Sequence, residues 1–262
     1  MLPLGKRRAA PTGSARRSSS VIKTRKPDLR RPRSLASFAP VMTIPENLSA
    51  ILARIDAARK AAIAPAPQTR LVAVSKTVAE EGIREALAAG QRLFGENRVQ
   101  EALSKFPQLK QEYPDLELHL IGPLQTNKVK EAAALFDAIQ TLDRTRLADT
   151  LAAERNKSGK CPRLFIQVNT GEEEQKAGVM PKETDGLIAY ARNLNLPVIG
   201  LMCIPPLEDD AAPHFAFLAK LAKENGLSEL SMGMSGDFEM AVRFGATYVR
   251  VGSAIFGTRP KA

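Results

Sequence analysis

The run Leu-Val-Ala-Val-Ser-Lys-Thr over residues 71–77 is apolar, rich in β-branched residues, and stops on a lysine. Lys76 is either the first solvated residue after a buried strand or an amine presented to a ligand as a nucleophile. The second role needs the neutral amine, although a free lysine has a pKa of roughly 10.4. Apolar walls and a nearby cation both favour loss of the proton. Two later stretches bear on the choice. "SMGMSGD" (231–237) and "VRVGSAIFG" (249–257) each run from a strand into a Gly/Ser loop and then a helix start. Small residues at such a point let an anion approach backbone N–H groups, which makes a phosphate site. Ser235 would donate its hydroxyl, and Gly252 and Ser253 their amides. The plainer alternative is that Ser235 caps a helix and Gly252 makes a turn.

These residues must be positioned by regular elements, and the chain supplies a regular pattern. After an amphipathic helix, "ENLSAILARIDAARKAAI", and a Pro-rich break, β-like runs alternate with helical ones. The β-like runs fall at 71–76, 92–97, 116–122, 137–142, 163–169, 197–204, 229–233 and 247–252. The helical runs fall at 78–89, 98–110, 124–135, 145–157, 182–194, 210–225 and 236–244. Strict alternation predicts parallel βαβ units, and eight of them fit a single α/β domain, a closed (β/α)8 TIM barrel. A doubly wound open sheet is the rival, disfavoured because no GxGxxG follows the first strand. In a barrel, strand ends such as Lys76, Glu96-Asn97, Gly122, Asn169 and Ser235 converge on one mouth.

Barrel closure sets strand one beside strand eight, so the lysine would lie next to the anion cradle. An amine beside a phosphate site suggests a phosphorylated aldehyde held as a Schiff base, pyridoxal 5′-phosphate (PLP). Arg250 lies within strand eight, on the opposite face from Val249 and Val251. Facing outward, it would cover a helix with its stem. Facing inward, its permanent charge would oppose protonation of the cofactor's pyridine nitrogen, which suits racemase-type chemistry or no turnover.

Composition narrows the partners. The formal charge is +10, but residues 1–42 hold 11 Lys/Arg against Asp28, and the other 27 basic and 27 acidic residues cancel. The folded part is therefore not a polyanion binder on charge grounds. Residues 1–42, rich in Arg, Ser and Pro, are expected to be a disordered basic tail. That tail is a dispensable extension from a misassigned start before Met42, an organellar targeting segment, or a basic binding arm. No apolar run approaches the length of a membrane span. Cys161 and Cys203 have no CxxC spacing and are expected as reduced thiols. With only two histidines, His119 and His214, no metal site is expected.

Six ordered motifs, "AVSKT", "FGENRVQEAL", "HLIGPLQTNKV", "GLMCIPP", "LSMGMSGDFEMAV" and "VRVGSAIFGTR", resemble the YggS/PROSC family of pyridoxal phosphate homeostasis proteins, from about residue 45 to 260. The resemblance implies a barrel like the N-terminal domain of alanine racemase (fold type III). It also implies that Lys76 carries the cofactor and that Arg250 stands at the pyridine nitrogen. Ser235, Gly252 and Ser253 fall on its phosphate-binding positions, and Asn97 and Met234 on positions near the ring. Ser253 stands where many relatives carry threonine, so the hydroxyl is kept. His119 is expected to pack or hydrogen-bond near the mouth, and Lys128 and Lys176 to be solubilising. The expected domain is 43–262, a PLP-binding barrel.

The function implied is PLP binding for intracellular vitamin B6 homeostasis and supply to apo-PLP enzymes, in the cytoplasm, by a monomer or weak dimer. No membrane and no nucleic-acid partner is expected for the folded domain. Efficient catalysis is not expected. The alternative is a PLP-dependent amino-acid racemase, which needs a second acid/base opposite the lysine; Tyr113, Tyr190 and Tyr248 offer no clear candidate.

Overall fold

The computed structural model describes residues 42–62 and 68–257, so the tail expected over 1–42 lies, apart from Met42, outside the described residues. Four strands form first: β1 (Arg70–Val74), β2 (Leu93–Glu96), β3 (Glu117–Leu120) and β4 (Ala138–Leu142). Four follow: β5 (Arg163–Val168), β6 (Val198–Cys203), β7 (Glu229–Ser231) and β8 (Tyr248–Val251). All neighbours are parallel, and β8 pairs back onto β1 with Arg250 opposite Val72, which closes the (β/α)8 barrel and rules out the open sheet.

Helices follow the strands as the pattern predicts: α2 (Glu80–Ala88), α3 (Val99–Glu112), α5 (Thr145–Ser158), α6 (Thr184–Asn193), α7 (Ala211–Glu224) and α8 (Phe238–Arg243). The helix expected over 124–135 is divided into a 3-10 turn, Thr126–Lys128, and α4 (Val129–Leu135). A further short helix, α9 (Ser253–Phe256), follows β8. Four residues are too few for any apolar period to show in a sequence.

The helix before the barrel, α1 (Ile44–Lys60), opens on a reciprocal capping box between Thr43 and Glu46. Its buried stripe, Leu48, Ile51, Ile55 and Ala58, recurs at helical spacing. Arg54 makes two 3.0 Å hydrogen bonds to Glu239 and lies 4.6 Å over the Phe238 ring. Asn47 Nδ2 donates to the Ile255 carbonyl at 2.9 Å. The extra helix thus pins α8 and α9, the two helices that follow the Gly/Ser loops.

Alternation along the strands divides the core in two. Val249 and Val251 join the large layer between sheet and helices. Val72, Leu93, Ala138, Phe165, Met202 and Tyr248 fill the barrel interior. There the Tyr248 ring lies 5.4 Å from His119 and 5.6 Å from Phe165. At the N-terminal end of the strands Glu117 accepts from Arg70 at 2.5 Å, from Arg163, and from His119 Nε2 at 2.8 Å. Burial alone would push the Glu117 pKa up. The hydrogen bonds from His119 and Arg70 and the surrounding positive charge outweigh it, holding the carboxyl well below the usual carboxylate range.

A depressed folded pKa contributes stability that is complete above the unfolded carboxylate value of about 4.3 and is lost as pH falls toward the folded value. Urea unfolding at pH 7, 4 and 3 is therefore expected to show wild type losing more stability on acidification than Glu117→Gln. Parallel losses in the two proteins would contradict the assignment.

Candidate ligand-binding site

At the C-terminal ends of the strands a cavity of about 550 Å³ opens between β1, β8 and their loops. This lies within the range of small-molecule sites. Lys76, Asn97, Met234, Ser235, Arg250, Gly252 and Ser253 all line it. Every binding residue expected from the sequence therefore meets in one place. Apolar walls that the sequence did not single out come from Ile44, Val78, Ile121, Ile204 and Phe256.

Lys76 is not the last strand residue. β1 ends at Val74, and Lys76 sits half-buried in a turn just beyond it. Both neighbours of Lys76 are tied to one buried ionic cluster. Ser75 Oγ donates to Glu96 Oε1 at 2.7 Å, and the Thr77 amide donates to Glu101 Oε1 at 2.5 Å. Lys105 on α3 joins the two carboxylates, 2.8 Å from Glu96 and 2.9 Å from Glu101, and donates to the Ser75 carbonyl at 3.0 Å. Thr77 has φ of 62°, a left-handed conformation costly for a β-branched residue, and the cluster holds it there. The turn that presents the amine is clamped on both sides.

Glu96 itself is fully buried. Burial raises its pKa, opposed by the hydrogen bonds from Lys105 and Ser75. In Glu101 the Lys105 and Thr77 hydrogen bonds outweigh burial and lower the pKa. Sequence reasoning passed over Lys105; the signal was the Glu101/Lys105 pair at i, i+4 on the helix after "GEN".

Across the cavity the two Gly/Ser loops bring Ser253 Oγ to 3.4 Å from Ser235 Oγ. The Ser235 loop is held by Asp237 Oδ1, which accepts from the Met234 amide at 2.6 Å. Two glycines sit at close approaches of the backbone, tight at Gly252 and obligatory at Gly122. A Cβ on Gly252 would stand 3.1 Å from the Val74 carbonyl oxygen, and one on Gly122 only 2.2 Å from that of Asn97. The β1–β8 seam and the placing of Asn97 both depend on that space.

Arg250 points inward, not onto a helix, and is 4% exposed. Its guanidinium donates to Ser231 Oγ at 2.7 Å and to the Cys203 carbonyl at 2.8 Å. Burial lowers its pKa, but an arginine keeps its charge in any ordinary protein setting. Cys203 is a core residue, its thiol pushed up to about 12 by burial.

His119 is not near the mouth. It is fully buried inside the barrel, opposite Gly95 and Ala138. Lys128 and Lys176 lie outside the cavity lining and pair with Glu131 at 3.3 Å and Glu173 at 2.5 Å. Among the described residues the ionisable side chains lining the cavity are Lys76 and Arg250. No group of three or more potential metal ligands occurs among them, and no described helix is long and apolar enough to cross a membrane.

Residues 47–260 match the family described as "Alanine racemase, N-terminal domain". A pyridoxal phosphate homeostasis protein of Aquifex aeolicus is 44% identical over 224 residues, covering 82% of this chain and 97% of that protein. The one from Pasteurella multocida is 41% identical over 229 residues, covering 83% and 98%. Among solved structures, PipY of Synechococcus elongatus, described with PLP bound, shares 38% identity at a TM-score of 0.70, covering 82% of this chain and all of that one. Alanine racemase of Clostridium difficile superposes at a TM-score of 0.63 with 15% identity, covering 82% of this chain and 57% of the racemase, a likeness of fold alone.

Lys105→Met would leave a buried carboxylate without its cation, which typically costs about 3–5 kcal/mol. Denaturant unfolding is expected to show a loss of that order, and adding Glu96→Gln should recover part of it. A single variant as stable as wild type would mean the cluster does not hold the Lys76 turn.

Proposed function

The chain belongs to the alanine racemase N-terminal-domain family and, within it, to the YggS/PROSC pyridoxal phosphate homeostasis proteins, and from that premise we propose that residues 43–262 form one PLP-binding domain. In this reading Lys76 Nζ joins the cofactor's aldehyde as a reversible Schiff base with loss of one water. The protein serves vitamin B6 homeostasis in the cytoplasm and hands PLP to apo-enzymes, without efficient catalysis of its own. The carrying observation is the meeting of Lys76, the Ser235/Ser253 hydroxyl pair and the buried Arg250 guanidinium around one cavity.

The residues present fit the group. Two hydroxyls 3.4 Å apart beside glycines supply donors for a phosphate. Lys76 and the Arg250 guanidinium line the same cavity, whose apolar walls come from Ile44, Val78, Ile121, Ile204 and Phe256. Asn97 and Met234 line the space left for a ring. Bound there, PLP would supply its carbonyl for reversible capture and, to amino acids, an electron sink. Arg250 would weaken that sink, because a cation with donors only cannot accept a hydrogen bond from a protonated ring nitrogen. Two-base racemisation would also ask for a second acid/base, and the described lining offers none beyond Lys76 and Arg250.

Incubation with PLP is expected to give an absorbance band near the visible edge that borohydride removes, with mass mapping of the reduced adduct to Lys76. Lys76→Ala should stay folded and lose the band; a variant that keeps it would overturn the assignment. The purified protein is expected to racemise common amino acids at well below roughly 1 s⁻¹, the lower end of ordinary turnover. Turnover at or above that rate would favour the racemase reading.

A further inference from the structure

The barrel interior carries a line of polar side chains that leads to Arg250 through residues outside the cavity lining. It starts at Glu117 and His119 on β3, passes to Gln140 on β4, crosses the lumen to Ser231 on β7, and ends on Arg250 of β8. The successive distances are 2.8 Å from Glu117 Oε1 to His119 Nε2, and 2.8 Å from His119 Nδ1 to Gln140 Nε2. They continue with 2.6 Å from Gln140 Oε1 to Ser231 Oγ, and 2.7 Å from Ser231 Oγ to Arg250. His119, Gln140 and Ser231 are fully buried.

The two ends fix the direction of every bond between them. A guanidinium has donors only, so Ser231 Oγ must accept from Arg250 and turn its own proton toward Gln140 Oε1. That orients the Gln140 amide, whose N–H then donates to His119 Nδ1. A carboxylate has acceptors only, so His119 Nε2 must carry the ring proton and donate to Glu117. Each constraint, followed from its own end, gives the same histidine tautomer and the same amide orientation. The line is therefore a single file of donors pointing from the cavity floor to an anion near the opposite end of the barrel. Buried chains of this kind strengthen cooperatively, and a break leaves costly orphan groups.

We propose that Glu117, His119, Gln140 and Ser231 form a one-way hydrogen-bond relay that positions Arg250 beneath the cavity. The four are positioning residues, acting on the ligand only through the guanidinium. The consequence for the ligand rests on the proposed function, while the relay itself does not. It orders Arg250 before any ligand arrives, so the cofactor's pyridine edge meets a fixed donor and not a mobile one.

The test uses the full chain, with Gln140→Met to break the line at similar volume and Ser231→Thr to keep its hydroxyl. In the ligand-free protein, nitrogen-15 NMR is expected to show His119 as the neutral Nε2–H tautomer and Arg250 with separate, slowly exchanging guanidinium signals. Gln140→Met should shift the His119 Nδ1 resonance and merge the Arg250 signals; Ser231→Thr should change neither. With PLP as probe, Gln140→Met is expected to raise the dissociation constant roughly ten-fold, the scale of a hydrogen bond to a charged group. The same change in an Arg250→Met background should add almost nothing.

Unaltered Arg250 signals in folded Gln140→Met, or a full ten-fold loss persisting without the arginine, would overturn the relay. If Gln140→Met fails to fold, Ser231→Ala takes its place with the same expected readings. If the wild-type protein takes up no PLP, the functional reading fails and the ligand-free spectra alone decide the relay.

Discussion

Pairing of β8 with β1 is the constraint on which everything else rests. Lys76 and the Gly252–Ser253 loop lie far apart in the chain and become neighbours because the sheet closes on itself. Closure fixes Arg250 opposite Val72, and strand alternation then sends its side chain into the lumen while Val249 and Val251 pack under the helices. A Cβ at position 252 would press on Val74, so the seam leaves little room for a side chain where the loop borders the cavity. The short α9 and the capped α1 lock the far side of that seam.

Around the cavity the protein invests in buried charge, which is costly unless every group is paired. One cluster, Lys105 with Glu96 and Glu101, grips the backbone on either side of Lys76. The other, running from Glu117 to Arg250, occupies lumen space that aliphatic side chains would fill at less cost. Both end on a residue that faces the cavity. Each thus ties a residue that lines the cavity, Lys76 through its neighbours and Arg250 directly, to a carboxylate elsewhere in the barrel.

Much of this was legible in the sequence. All eight strands fall on the alternating β-like runs of the sequence, and Lys76, Ser235, Gly252 and Ser253 sit just past strand ends or in Gly/Ser loops, where local pattern points to them. What remained hidden depends on distances between elements. Lys105 reads as an ordinary surface lysine until α3 is laid behind β1. Alternation gives the face on which His119 lies but not its depth, which is set by the stagger of strands around a closed barrel. That is why it was expected at the mouth and lies in the middle of the lumen. Gln140 and Ser231 gave no local signal at all, because each is meaningful only across the lumen from the other.

The most direct measurement is a crystal structure of the protein grown with PLP. The expected result is continuous density from Lys76 Nζ into the ligand, its phosphate between the Ser235 and Ser253 hydroxyls and its ring nitrogen facing the Arg250 guanidinium. Ligand bound away from Lys76, or seated with its phosphate against Arg250, would contradict the account.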